Sequence, residues 1–427
     1  MKFINKEEYG KHIYFQDNWT IQDYFSPKGQ QKIALFKDNH FRHTHYTSSW
    51  PNTIAHQAHF HLGLSAKYNM EQWLNASHAT THLSLLGENE MDFYLAKQTV
   101  KQKNPLLFVD GSASHYHCKK LIDYCLEQGV KPYLLDYNHF LDFHPDYHQY
   151  QAKFQHLPVK LLKSFLLNWV YQYHHPRLES EKAQQLKQMG HTLLQSLDDC
   201  LINFSFLKDS ALQFQEVYPL AYEPFYQALN ILEKLDIFAH YNSTTTSPII
   251  SHLPLFEKNT AIIISVSSQE PDFLQFLAHW LNWHITHSLG TELTDNDADI
   301  PEKSEHFSYL KSLIFRQIHL SVSPYLTSMA RALRCAMIYS FKDINPELTQ
   351  RILPNCNTVL FFPSKNNYPI QRIYNELMGD YLLYTYEKDM QHPLSPRLLV
   401  PFSCQENEFI AFNRHEFQKI KFNDFFL

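Results

Sequence analysis

The strongest constraint on this chain is an alternation of short apolar runs with helical segments that stops near residue 150 and resumes near residue 259, with helical periodicity alone in between. After Trp73 the stretches "THLSLLG", "PLLFVDG" and "KPYLLDYN" have the length, apolar content and turn-forming ends of strands. Between the last two, "SHYHCKKLIDYCLEQGV" carries apolar residues at helical spacing and stops at Gly129. Strands alternating with helices predict βαβ units and a mostly parallel sheet.

The middle of the chain predicts three amphipathic helices. Leu162, Phe165, Leu166, Trp169 and Val170 share one face; Leu186, Met189, Leu193, Leu197 and Leu201 share a second; Phe225, Ala228, Leu229, Leu232 and Leu235 share a third. Trp169, Tyr171 and Tyr173 lie so near one another that some aromatic surface is expected to stay exposed. Beyond this insert, "NTAIIISVSS", "SLIFRQIHL", "RCAMIYSF" and "NTVLFFPS" predict further strands, with "PDFLQFLAHWLNWHITHSL" as a helix and "GTELTDNDADIPEKSEH" as a polar acidic loop. The expected organisation is a β-containing lead-in over 1–70, with patches such as "KIALFKDNHF", the first part of an α/β domain over 71–150, a helical domain over 151–245, and the second α/β part with a C-terminal extension over 246–427.

Composition narrows the function classes. A net charge of −6 provides no overall basic field, so nucleic acid is not the expected partner. No run approaches the ~18 apolar residues of a membrane span and the N-terminus has no signal-peptide core, so a cytoplasmic chain without direct membrane insertion is expected. Six cysteines without C-x-x-C spacing suggest neither a disulfide framework nor a zinc ribbon. Glycine is scarce at 9 of 427 residues, roughly 2% where about 7% is usual, which is few for a chain that wraps backbone around phosphates.

Several short motifs, taken in order, resemble the cytosolic ATPase of type IV secretion and conjugation coupling proteins of the TraD and DotL kind. "WLNASHATTHLSLLG" matches the turn, Thr-His pair and strand ending Leu-Gly that precede Walker A, "LLFVDG" a Val-Asp-Gly strand end, "MARALRC" an Ala-Arg-Ser-Leu motif, and "IYSFKDINPEL" a later strand end. The resemblance covers residues 60 to 380 and implies a RecA-like P-loop NTPase fold, α/β with a mostly parallel sheet, interrupted by an all-helical domain.

The chemistry of that family is missing from the matched positions. Walker A, G-x-x-x-x-G-K-[ST], uses bare backbone N–H groups to cradle phosphate, a lysine for the β/γ-phosphates and a hydroxyl for Mg²⁺. Counted from Gly87, the second glycine is Asp92, the lysine is Phe93 and the hydroxyl residue is Tyr94. Glu88, Glu90 and Asp92 place carboxylates where a phosphate tail would lie; one such pair near 6 Å repels by about 3 kcal/mol at an effective dielectric of 20. At Walker B the metal-binding Asp and water-orienting Glu are replaced by Arg316 and Gln317.

Plainer accounts stand beside this one. Gly87 after an apolar strand can be an ordinary strand-to-helix turn, and acidic residues in a first helical turn complement the helix dipole. Arg331 reads as a surface helix cation ahead of a finger reaching a neighbour's nucleotide, and Arg316, inside an apolar strand, is expected to have a carboxylate partner rather than a catalytic role. "HYHC" places His115 and Cys118 on one helical face without a second ligand pair, so no metal site is expected. Ser112 and Ser114 follow a strand without G-x-S-x-G, and Asp110 is expected to cap the next helix.

The function implied is therefore non-enzymatic: a coupling-protein-like subunit without catalytic residues or cofactor, serving as scaffold or adaptor for secretion substrates or an active coupling ATPase, and held at the inner membrane through partners. As a homo- or hetero-oligomer it would use Glu88 and Glu90 on one edge and Arg331 and Arg334 on the opposite edge as subunit contacts. A free-standing binding or effector protein on the same scaffold, and an enzyme with converging His and Asp residues near 110–118 and 136–148, are the rivals.

Overall fold

Parallel strands buried on both faces read as unbroken apolar runs, and those runs form the centre of this fold. The computed structural model describes residues 60–65, 71–74, 82–87, 89–112, 114–154, 159–174, 180–196, 204–234, 249–250, 257–266, 271–294, 309–318, 334–342, 352–353, 356–363, 373, 408–413 and 416–422. In chain order the sheet strands are β1 (Phe60–Ser65), β2 (Glu71–Leu74), β3 (Leu83–Leu86), β4 (Leu106–Asp110), β5 (Lys131–Tyr137), then β8 (Thr260–Val266), β9 (Lys311–Arg316), β10 (Cys335–Phe341), β11 (Thr358–Phe361), β12 (Glu408–Asn413) and β13 (Glu416–Lys421). A separate two-stranded pair joins β6 (Lys153–Phe154) to β7 (Ile249–Ile250) at the two ends of the insert.

The large sheet has eleven strands in the order β2-β1-β13-β12-β11-β3-β10-β9-β4-β8-β5. From β11 to β5 every pairing is parallel; β12, β13, β1 and β2 add an antiparallel flank. Alternate side chains of each strand enter opposite cores. Ile262, Ile264, Leu313 and Phe315 face one core, while Ile263, Ile314, Ile338 and Leu360 face the other. Each of these fully buried side chains contributes about 1.5–3 kcal/mol relative to exposure.

The second core is covered by two helices, α1 (Met91–Lys101) and α2 (Tyr116–Glu127), which pack on each other. On α2, Cys118, Leu121, Ile122 and Cys125 form the buried stripe. The helix ends as predicted at Gly129, whose φ of 67° admits a glycine cheaply, and Val130 N–H returns to Cys125 O at 2.8 Å, closing the last turn. A short helix α3 (Phe140–Phe143) follows β5, its first amides donating to Asp136.

Among the described residues the insert has four helices where three were expected: α4 (Val159–His174), α5 (Ser180–Ser196), α6 (Phe204–Gln213) and α7 (Tyr222–Lys234). Leu207 and Ala211 of α6 are buried. Of the three aromatic residues expected to leave some surface exposed, Trp169 is fully buried, and its Nε1–H donates to Ala228 O of α7 at 2.8 Å. The side chains of Leu162, Tyr171 and Tyr173, and residues Leu197, Leu201 and Leu235, lie outside the described residues, as do residues 32–41. A further helix, α8 (Pro271–Thr294), links insert and sheet, with Phe276, His279 and Trp283 against Phe165 of α4. It runs five residues into the stretch expected as a polar loop, through Gly290; a lone glycine costs only about 1 kcal/mol in a helix. No helix among the described residues is long and apolar enough to cross a membrane.

Candidate functional site

In open α/β sheets, ligands bind beyond the carboxyl ends of the strands, and this end carries the residues singled out at Walker A and Walker B. Gly87 sits past β3 with φ 111°, donates its N–H to Phe341 O at 2.8 Å, and is so close to Phe362 that a Cβ would lie 2.5 Å from its carbonyl oxygen. The glycine is needed there by sheet packing alone. Asn89 then turns the chain: its amide donates to Gly87 O at 3.0 Å while its Oδ1 accepts from Met91 N–H at 3.1 Å.

The two residues counted at the lysine and hydroxyl positions of Walker A, Phe93 and Tyr94, are core residues. Phe93 is buried and meets His117 edge to face at 5.5 Å between ring centroids, with Lys97 Nζ over its other side at 5.1 Å. Tyr94 is buried too, its hydroxyl 3.1 Å from His61 Nδ1 and its ring edge against Phe422 at 5.0 Å. Both side chains hold α1 to its neighbours.

Arg316, the last residue of β9, collects the charges. Its Nη1 pairs with Asp92 of α1, its Nη2 lies 3.4 Å from Glu90 Oε1, and its Nε lies 3.9 Å from Asp110 Oδ1 at the end of β4. Glu90 reaches on with its other oxygen to His117 Nε2 of α2 at 2.6 Å. Asp92 and Arg316 were placed at two separate motifs by sequence and are one ion pair in space, which gives Arg316 the carboxylate partner expected of it. Asp92, Asp110 and Arg316 have side chains 0%, 1% and 6% exposed, against 61% for Glu90, so Glu90 alone of the four offers itself to solvent.

Burial and charge set the protonation of the group. Burial pushes the Asp110 carboxyl up, although hydrogen bonds from Ser112 and the Arg316 charge pull the other way. Burial also opposes ionisation of Glu90, yet the His117 hydrogen bond and the Arg316 charge bring it below the usual carboxylate range. Desolvation acts against the Arg316 charge, and the charges of Asp92, Asp110 and Glu90 outweigh it, raising its pKa further. Three acidic side chains thus surround one guanidinium.

Other sequence expectations meet a different outcome. Asp110 does not cap α2, as its Oδ1 accepts from Ser112 N–H at 2.9 Å in a turn and the helix starts later, at Tyr116. His115 and Cys118 diverge, His115 Nε2 lying 2.9 Å from Asn138 O while the buried Cys118 thiol points at Asp110 Oδ2 at 3.7 Å. No group of three or more His, Cys, Asp or Glu among the described residues is placed to hold a metal ion. Gln317 turns with φ 54° just past β9. Arg334 precedes β10 at the opposite, amino end of the strands, while Glu88 and Arg331 lie outside the described residues. What the sequence missed is His117, which only the packing of α2 on α1 brings to Glu90.

A parallel sheet with helices on both faces, a helical insert after its third parallel-strand segment, and motif residues gathered at the strand ends define a RecA-like P-loop NTPase fold. Among solved structures the chain is similar to the bacterial conjugative coupling protein TrwB. The sulphate complex of TrwBdeltaN70 matches with a TM-score of 0.51 at 10% identity over 84% of this chain and 89% of that one. Plasmid coupling protein TrwB with the non-hydrolysable GTP analogue GDPNP matches with a TM-score of 0.50 at 10% identity over the same shares, 84% and 89%. VirB4 of Thermoanaerobacter pseudethanolicus gives 0.48 at 10% identity over 85% and 96%. At such identity the likeness is one of fold. No protein-family model and no curated protein matches the sequence.

Proposed function

We propose that this chain is a coupling-protein-like subunit that neither binds nor hydrolyses nucleoside triphosphates at its strand-end site, and that it serves a type IV secretion or conjugation apparatus as scaffold or adaptor. The observation that carries this is the Asp92–Arg316 ion pair. In a working P-loop site a cation at Walker A and an anion at Walker B grip the nucleotide and its Mg²⁺. Here the anion is on the Walker A side and the cation on the Walker B side, and they pair with each other. TrwB, whose fold this chain shares, has been solved with a GTP analogue; the proposal is that this chain keeps the scaffold without that ligand.

Its work is then done by surfaces, in the company of an active coupling ATPase or of secretion substrates, with boundaries near 70, 150 and 245 separating lead-in, α/β halves and insert. Leu212, Val217 and Leu220, at and beyond the end of α6, are exposed apolar residues of the insert and support a role for it in recognition. Of the carboxylates near the strand-end site, Asp92 is internal and Glu90 is exposed, so Glu90 is available for a carboxylate–guanidinium contact between subunits. A phosphate-release assay on the full chain with MgATP and MgGTP tests the catalytic half of the proposal. The expected rate is that of buffer; turnover abolished by Arg316→Met or by substitutions within 87–94 would overturn it.

A further inference from the structure

In nucleotide switches, a bound γ-phosphate and its Mg²⁺ hold segments of the protein in one arrangement, and their loss releases them. This site has the corresponding segments but ties them with its own side chains. We infer that Arg316 is a ligand-independent clasp that fixes the first turn of α1, the end of β4 and the first turn of α2 in a single arrangement, so that the state a nucleotide would set elsewhere is set here by internal charge. The inference deepens the non-nucleotide function proposed above and rests on it.

The contacts reach every segment such a switch would move. From the end of β9, Arg316 takes Asp92 in α1, Asp110 at the end of β4, and, through Glu90, His117 in α2. Its backbone joins in, since Arg316 O accepts from Gly111 N–H at 2.9 Å, and a Cβ on Gly111 would lie 2.3 Å from Ile318 Cγ1, so the turn after β4 is pressed onto the turn after β9. Phe93 against His117 adds a ring contact between the same two helices. Removing the guanidinium would leave the buried carboxyl groups of Asp92 and Asp110 without their cation, and those segments would have to open to reach water.

The clasp is graded. Asp92 and Asp110 are inside, whereas Glu90 is largely exposed and bridges only Arg316 and His117. Loss of Glu90 should free the start of α2 and leave the α1 contact in place.

Amide hydrogen exchange on the full chain tests this, without nucleotide, in wild type, Arg316→Met and Glu90→Gln. Arg316→Met is expected to speed exchange at 89–94 and 110–118 by about tenfold or more, with β8 and α7 unchanged, as local opening rather than unfolding. Glu90→Gln, at an exposed position that should fold even if Arg316→Met does not, is expected to speed exchange at 115–118 and not at 92–94. Wild-type rates in 89–94 and 110–118 of Arg316→Met, or at 115–118 of Glu90→Gln, would overturn the clasp, as would a rise in Glu90→Gln spread evenly over the sheet. Wild type with added MgATP is a separate arm: unchanged exchange at 87–94 agrees with the clasp, while protection gained there would overturn the non-nucleotide function on which it rests, whatever the nucleotide-free variants show.

Discussion

Asp92 and Arg316, 224 positions apart in the chain, meet as a fully buried ion pair that joins α1 to the end of β9. Breaking a buried pair by removing one partner strands a charge and typically costs about 3–5 kcal/mol. Asp92→Ala and Arg316→Ala should each lower unfolding stability by that order, and the double variant should lose clearly less than their sum because the two residues are coupled. Urea denaturation of the three variants measures it. Additive losses would mean that the pair is not the interaction it looks like in the structure.

Gly87 separates packing from phosphate binding. Its φ of 111° and the 2.5 Å approach of a Cβ to Phe362 O predict that Gly87→Ala costs on the order of 1–3 kcal/mol with no ligand present. Thermal unfolding in plain buffer checks it, and a neutral substitution would remove the structural reason for the glycine.

His279 carries a pH dependence. It is buried between Phe165 and Trp169, with ring centroids 5.3 Å from each, and burial lowers its pKa to about 4 from an unfolded value of 6.5. A histidine whose folded pKa is depressed binds its proton more readily when unfolded, so stability is full above pH 6.5, falls as pH drops from 6.5 towards 4, and stops falling below it. The loss across that window is of order 3 kcal/mol. Urea midpoints between pH 7 and 4 should show it, and His279→Phe should flatten that portion of the curve. A wild-type curve level across the window would contradict a neutral buried imidazole.

How much of this was legible in the sequence depended on whether a signal was local. The buried parallel strands were visible because Ile262, Ile263 and Ile264 belong to a run with no polar interruption, and α2 was visible because its stripe and Gly129 lie within a dozen residues. The flank β12, β13, β1 and β2 was not, since it exists through pairings such as Leu64 with Lys421, which leave no mark in either segment. The order of the strands was hidden for the same reason: β10 and β9 lie between β3 and β4, which are neighbours in sequence. At the site, Arg316 inside an apolar strand announced that it needed a carboxylate, but nothing nearby named Asp92. Asp110 looked like a cap because strand–Asp–Gly often precedes a helix; four further residues before Tyr116 let it serve a turn instead.

The insert gives a paired prediction. Trp169→Ala should cost about 3–5 kcal/mol, because it empties a core position and removes the hydrogen bond to Ala228. Changing Leu212, Val217 and Leu220 together to Ser should shift stability by no more than about 0.5 kcal/mol per site. If the insert recognises an active coupling ATPase, sedimentation of the mixture should lose its complex with the triple variant. A complex unaffected by all three substitutions would place recognition elsewhere on the chain.

The central claim is that the strand-end site pairs its own charges, Asp92 with Arg316, and binds no nucleotide. Isothermal titration of the purified full chain with MgATP, and with MgGTP, tests that claim most directly. The account predicts heats equal to dilution through millimolar nucleotide, in wild type and in Arg316→Met alike. Saturable micromolar binding to the wild type, lost when residues 87–94 are substituted, would contradict it.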